Sequence, residues 1–191
     1  WVLGEYAVPN DLTYAIGFSF GGDMTYRLMC EASDIISGFA VTGQGGPWSR
    51  NSGLDTNKYP WAAGCAQATP RPLWKGIGTN DVYYSAEQAR TGWESFAKKV
   101  LGCCGEVTES AVADGVTCLR FEKCAVATEF CSYTGMEHIY PSVATAPQED
   151  GFTDNGRGAS WQATPAAWDV WREAFTPADV ACDDDAPSSS R

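Results

Sequence analysis

The chain has 191 residues, 44% of them hydrophobic and 13% aromatic, which suits one domain with a sizeable core and excludes whole-chain disorder. Twenty-four acidic against thirteen basic residues leave a formal net charge of -11, which argues against nucleic acid and anionic membrane surfaces as partners because both would be repelled. Eight cysteines accompany a single histidine without paired C-x-x-C spacing, so disulfides are favoured over zinc ligation, and a secreted protein needing no metal or cofactor is expected.

Taken in order, Leu12 to Ile16 predicts a short buried strand, Gly22 to Met29 a helix packed over it, and Ile35 to Val41 a second apolar strand. Strand, helix and strand in that order build a parallel sheet. Residues 44–72 are rich in Gly, Pro, Asn and Trp and lack periodicity, which predicts a loop facing substrate. Leu73 to Ile77 gives a third strand, closed by Gly78-Thr79-Asn80-Asp81. Between Ser85 and Leu101 the residues Ala86, Ala89, Trp93, Phe96, Ala97 and Val100 recur at helical spacing, and Gly102 stops the helix; Trp93 and Phe96 read as core. Val116 to Phe121 and Ala125 to Tyr133 look like paired strands, the second leading into Gly135-Met136-Glu137-His138. Ala166 to Phe175 is the last helix, with Trp168 and Trp171 both expected to face the core. The Asp-, Pro- and Ser-rich end divides the chain into a domain over 1–176 and a disordered tail, or a linker to a further module, over 177–191. Its acidic run Asp183 to Asp185 reads as solvated rather than calcium-binding. No apolar run reaches the roughly eighteen residues that span a bilayer, and no N-x-S/T acceptor occurs.

The chemistry concentrates in Gly17-Phe18-Ser19-Phe20-Gly21, extended by Gly22, between the first strand and the first helix. A serine hydroxyl becomes a useful nucleophile when a sharp turn lifts it toward a histidine, and glycines two residues either side make room for that turn. Ser19 is thus the candidate nucleophile. His138, the only histidine, is the candidate base, since imidazole can take the serine proton and return it near neutral pH. Asp81 closes the third strand, where a carboxylate would hold the imidazole tautomer; Glu137 and Asp114 are competing acids. The chain order serine, acid, histidine, each after a strand, matches an acyl-transfer enzyme of parallel-sheet type. The amide of Phe20 is the expected oxyanion donor, with a second donor from a loop after an earlier strand. Trp48, Tyr59 and Trp61 are candidates for stacking on a phenolic acyl group or sugar ring, with simple packing as the alternative.

Around these residues, Tyr14-Ala-Ile-Gly-Phe-Ser-Phe-Gly-Gly22, Ile77-Gly-Thr-Asn-Asp81, Gly102-Cys103 after a long helix, Gly135-Met-Glu-His138 and the following Tyr140-Pro141 resemble the secreted feruloyl esterases related to polyhydroxybutyrate depolymerases, a branch of the α/β-hydrolases. The resemblance runs from about Leu12 to Phe175. It departs at the acid motif, which in the family usually begins with a histidine where Gly76-Ile77 stand here. It implies an α/β-hydrolase-like three-layer sandwich with a mostly parallel sheet. It implies also that the strands preceding the elbow strand are missing, since only eleven residues come before Leu12, so that the chain is the C-terminal part of a longer protein. The same resemblance suggests that several cysteines are bridged: Cys118 and Cys131 lie on the paired strands, and Cys30 with Cys65, or Cys103 or Cys104 with Cys124, are conceivable partners, with the connectivity left open by the sequence. The activity it implies is a serine carboxylesterase acting on feruloyl or acetyl esters of plant cell-wall polysaccharide or on a polyester. A serine peptidase of prolyl-oligopeptidase type, or a non-catalytic carbohydrate-binding module, are the alternatives.

Overall fold

A computed structural model describes residues 13–47, 65–141 and 163–173. In chain order its elements are β1 (Tyr14–Phe18), α1 (Phe20–Glu31), β2 (Gly38–Thr42), β3 (Leu73–Gly78), α2 (Ala86–Val100), β4 (Cys103–Ala113), β5 (Val116–Cys124), β6 (Thr128–Tyr133) and α3 (Ala163–Glu173). The strands form one sheet in the order β1-β2-β3-β6-β5-β4. The first four neighbours run parallel, while β5 is antiparallel to both β6 and β4.

Both β2 and β3 are buried along their whole length, the condition of central parallel strands covered on two faces. Alternation along them sorts side chains between two cores. Phe39, Val41, Leu73, Ile77 and Phe130 face Tyr26 and Met29 of α1 and Trp93 and Phe96 of α2. Ala40, Trp74, Cys131 and Tyr133 face Ala166, Ala167, Val170 and Trp171 of α3. Helices on one face, a sheet, and a helix on the other make three layers. A capping box starts α2: the Ser85 hydroxyl accepts the Gln88 amide while the Gln88 side chain accepts the Ser85 amide, satisfying two donors that helix geometry leaves open.

Several boundaries differ from the sequence reading for local reasons. The first strand continues to Phe18 because the elbow residue still pairs with Thr42 of β2. The second strand starts only at Gly38, since the amides of Ile35 and Ile36 turn back to the carbonyl of Ala32 at the end of α1. Helix α3 spans Ala163–Glu173 rather than starting at Ala166. Strand β4 was not anticipated: most of it is exposed at the sheet edge, and its Gly, Glu and Ser residues hide a strand's apolar alternation. Of the two tryptophans expected in the core, Trp171 is buried and donates its indole N–H to the carbonyl of Phe39, but Trp168 is 47% exposed. It rests edge-on against Tyr14 at the rim of the apolar stripe.

Disulfides join Cys30 to Cys65, Cys103 to Cys124 and Cys118 to Cys131, and Cys104 is disulfide-bonded as well. Cys103 and Cys124 stand opposite each other in the β4–β5 register, which decides between the two candidate partners of Cys124. Among the described residues, Cys118, Cys131 and Glu129 are close enough together to suggest a metal site, but the two sulfurs are already bonded to each other and offer no thiolate. The expected tail over 177–191 lies outside the described residues, and no described helix is long and apolar enough to cross a membrane.

Candidate active site

Three polar side chains converge at the carboxyl ends of the parallel strands. Ser19 directly follows β1, Asp81 lies three residues beyond β3, and His138 lies on the segment leaving β6. Because these strands are parallel, their exits share one edge of the sheet, which is where such sheets place their sites. Backbone bonds then bring the exits together. The amide of Thr79 donates to Tyr133 O (2.9 Å) and that of Asn80 to Met136 O (3.0 Å), while Gly135 N donates to the Thr79 hydroxyl (2.8 Å). A β-carbon on Gly78 would lie 2.0 Å from the Met136 carbonyl, so the two segments can approach this closely only with glycine there.

Ser19 has φ 54° and ψ -121°, and it is the one described non-glycine residue with positive φ. Such a conformation costs on the order of 1–3 kcal/mol and persists where surroundings over-determine it. Here the Ser19 amide is tied to Thr42 O at 3.0 Å and its carbonyl accepts the amides of Gly22 and Asp23. The glycines of the elbow are not equivalent. A β-carbon at Gly17 would fall 2.1 Å from the Gly21 carbonyl, whereas one at Gly21 meets nothing within 4 Å. The crowded position on the helix side is Gly22, pressed against Val41 and Gln44. The expectation that glycine is needed two residues either side of the serine therefore holds for Gly17 and not for Gly21.

The hydroxyl of Ser19 lies 2.8 Å from His138 Nε2, and His138 Nδ1 lies 2.8 Å from Asp81 Oδ2. With Nδ1 donating to the carboxylate, Nε2 is left as acceptor for the serine proton. The side chain of Asp81 is fully buried, and its other oxygen accepts the amides of Tyr83 (2.9 Å) and Tyr84 (3.0 Å). Both carboxylate oxygens are thus oriented. Phe18 and Tyr83 flank the imidazole at ring-centre distances of 4.8 and 4.7 Å, fixing its plane. It is Asp81 that meets the imidazole nitrogen, not its competitors Glu137 or Asp114.

The amide of Phe20 opens α1, where helix geometry provides no intrahelical acceptor and the helix dipole is positive. It directly follows Ser19 in sequence. Phe20, Val82 and Tyr83, next to Ser19 and Asp81 in sequence, are 72–80% exposed, and the Tyr83 ring lies against the imidazole. Sequence reasoning missed the roles of Phe18, Tyr83 and Tyr84. Their only signal was adjacency to Ser19 and Asp81. Trp48, Tyr59 and Trp61 lie outside the described residues.

No family model and no curated protein matches the chain. Solved structures do. A PHB depolymerase variant complexed with an R3HB trimer superposes with a TM-score of 0.53 at 14% identity, over 85% of this chain and 51% of that one. A variant of SOBER1 from Arabidopsis thaliana aligns at 18% identity and a TM-score of 0.46, over 72% of this chain and 50% of that one. The chain spans about half the length of both. Together with the mixed six-stranded sheet and its flanking helices, the likeness to the first shows an α/β-hydrolase-like fold.

Proposed function

We propose that this chain carries the nucleophile, acid and base of a secreted serine carboxylic-ester hydrolase. Ser19 attacks the ester carbonyl as His138 Nε2 accepts its proton, and the imidazolium formed is stabilised by Asp81. The tetrahedral oxyanion is met by the Phe20 amide, and the protonated His138 returns its proton to the departing alcohol oxygen. Water, deprotonated by the same imidazole, then attacks the acyl-Ser19 carbonyl, and the acid leaves as the serine regains its proton. The observation that carries this reading is the unbroken Ser19–His138–Asp81 hydrogen-bond series, both links 2.8 Å, on a serine held at positive φ.

Exposed apolar side chains next to Ser19 and Asp81, namely Phe20, Val82 and Tyr83, support an ester whose acyl group or alcohol carries apolar surface. Feruloyl or acetyl esters of plant cell-wall polysaccharide fit this and the acidic, cysteine-bridged chain; a polyester is a second candidate, since a PHB depolymerase holds an R3HB trimer on a similar fold. The disulfides support secretion. Treatment of the full-length protein with a fluorophosphonate, followed by peptide mapping, should place the adduct on Ser19, and Ser19→Ala should abolish both labelling and hydrolysis. Labelling elsewhere would remove Ser19 from the role. Matched ester and amide substrates separate an esterase from a prolyl-oligopeptidase-like peptidase. Binding of xylan with turnover unaffected by Ser19→Ala would instead point to a carbohydrate-binding module.

A further inference from the structure

Lys75 breaks the pattern of the strand it occupies. It sits mid-way along β3 on the face shared by Leu73 and Ile77, with 0% of its surface exposed. An unpaired ammonium in such a place is costly, so its partners matter. Its Nζ donates to the backbone carbonyl of Gln44 at 2.7 Å, and Tyr26 Oη and Gln44 Oε1 lie at 3.3 and 3.5 Å. The Tyr26 ring lies beneath it, 5.2 Å from Nζ to the ring centre. Gln44 is itself fully buried. Its side-chain amide donates to Gly46 O (2.6 Å) and Asp23 Oδ1 (2.5 Å), and its oxygen accepts the Gly46 amide.

The two ends of this series are where the candidate chemistry is. Asp23 lies in the first turn of α1, its amide bonded to the carbonyl of Ser19. Gly43, next to Gln44, packs against Phe18 and against Cε1 of His138: a β-carbon there would lie 2.4 Å from the Phe18 ring and 3.4 Å from that carbon. A methionine of similar length could fill the space of Lys75 but could not donate to the Gln44 carbonyl.

We propose that Lys75 is a positioning residue, which through Gln44 and Asp23 holds the Gly43–Gly46 loop and the first turn of α1 in the arrangement that aligns Ser19, the Phe20 amide and His138. The inference rests on reading Ser19 as the nucleophile. Burial also lowers the lysine pKa from 10.5 to about 7, with the Asp23 carboxylate acting to raise it. The bond to Gln44 O outlasts loss of the proton, because a neutral amine still donates.

The test uses the full-length protein carrying Lys75→Met and, separately, Asp23→Ala, which cuts the far link on a half-buried helix position. The Cε1–H resonance of His138, the single histidine of these 191 residues, is assigned in the full-length protein as the signal lost in His138→Gln, and it can then be followed by NMR without any substrate. Both variants should stay folded by circular dichroism and show a displaced His138 resonance. Phosphonylation of Ser19 should slow about tenfold, with kcat falling by a similar factor at a KM within about twofold, as expected when about 1.4 kcal/mol of transition-state alignment is lost. A folded Lys75→Met protein with an unmoved resonance and wild-type phosphonylation overturns the proposal and leaves Lys75 a packing residue. If Lys75→Met does not fold, Asp23→Ala decides by the same two readouts. Failure of the wild-type protein to label at Ser19 would defeat the esterase reading, and an unmoved His138 resonance in both variants would still defeat the positioning role on its own.

Discussion

The sheet has two halves built on different physics. In the parallel half, β1, β2, β3 and β6 are joined through crossovers and meet at one edge, where glycines at 17 and 78 let backbone approach backbone and one serine is held at positive φ. In the antiparallel half, β4 and β5 form a hairpin, more exposed along β4, whose strands are pinned by Cys103–Cys124 and tied to β6 by Cys118–Cys131. The first half spends conformational freedom on geometry for chemistry, and the second adds covalent links to the core that Val116, Leu119 and Phe121 of β5 supply. Loss of the polar groups that meet at the first half's edge should therefore appear in rate, and loss of the second half's disulfides in stability.

The strongest way to break this contrast is Asp81→Asn. It keeps the fold but offers an amide where Nδ1 needs a carboxylate, so kcat should fall about 10⁴-fold with little change in melting temperature. Comparable activity in the variant would mean that the acid is a different residue. Next comes the pair Gly17→Ala and Gly21→Ala. The first forces a β-carbon to 2.1 Å from a backbone carbonyl and should cost several kcal/mol, of the size seen for severe core defects, with loss of soluble protein. The second enters open space at a non-strained helix position and should change stability by less than about 1 kcal/mol in urea denaturation. Equal losses at both sites would contradict the asymmetry of the elbow.

In the hairpin half, Cys118→Ala with Cys131→Ala opens a 13-residue separation and should cost about 3 kcal/mol of stability while kcat per folded molecule stays the same. A fall in kcat would show that the halves are coupled. The smallest effect concerns pH. Lys75 has a folded pKa of about 7 against 10.5 when unperturbed, so between those values the unfolded chain holds a proton that the folded chain has released. Stability should then rise by roughly 2 kcal/mol between pH 7 and pH 9, and Lys75→Met should flatten that slope. Urea midpoints of the two proteins at pH 7 and pH 9 measure it.

Much of the parallel half was legible because its signals are local. Apolar runs at Leu73 to Ile77, helical spacing from Ala86 to Val100 and the glycine-framed serine each report on a few neighbouring residues. Strand β4 was not, since its exposed face carries no apolar alternation and it is held by pairing with β5 and by disulfides. Trp168 and Trp171 have equal claims to the core on hydropathy, and only the position of β2 beneath α3 decides that Trp171 reaches the Phe39 carbonyl.

The candidate site divides in the same way. Residue type and chain order by themselves singled out Ser19 and the sole histidine and favoured Asp81 among the competing acids, because a serine in a G-x-S-x-G turn and an imidazole have few other chemical uses in combination. Folding alone decided that Asp81 rather than Glu137 or Asp114 meets His138, that Tyr83 and Tyr84 orient its carboxylate, and that Lys75 lies buried behind the loop against which the imidazole rests. The Asp81 bonds to the Tyr83 and Tyr84 amides are local turn contacts two and three residues apart, but the others join segments 31 to 119 residues apart, and they exist only once parallel strands bring their ends to a common edge.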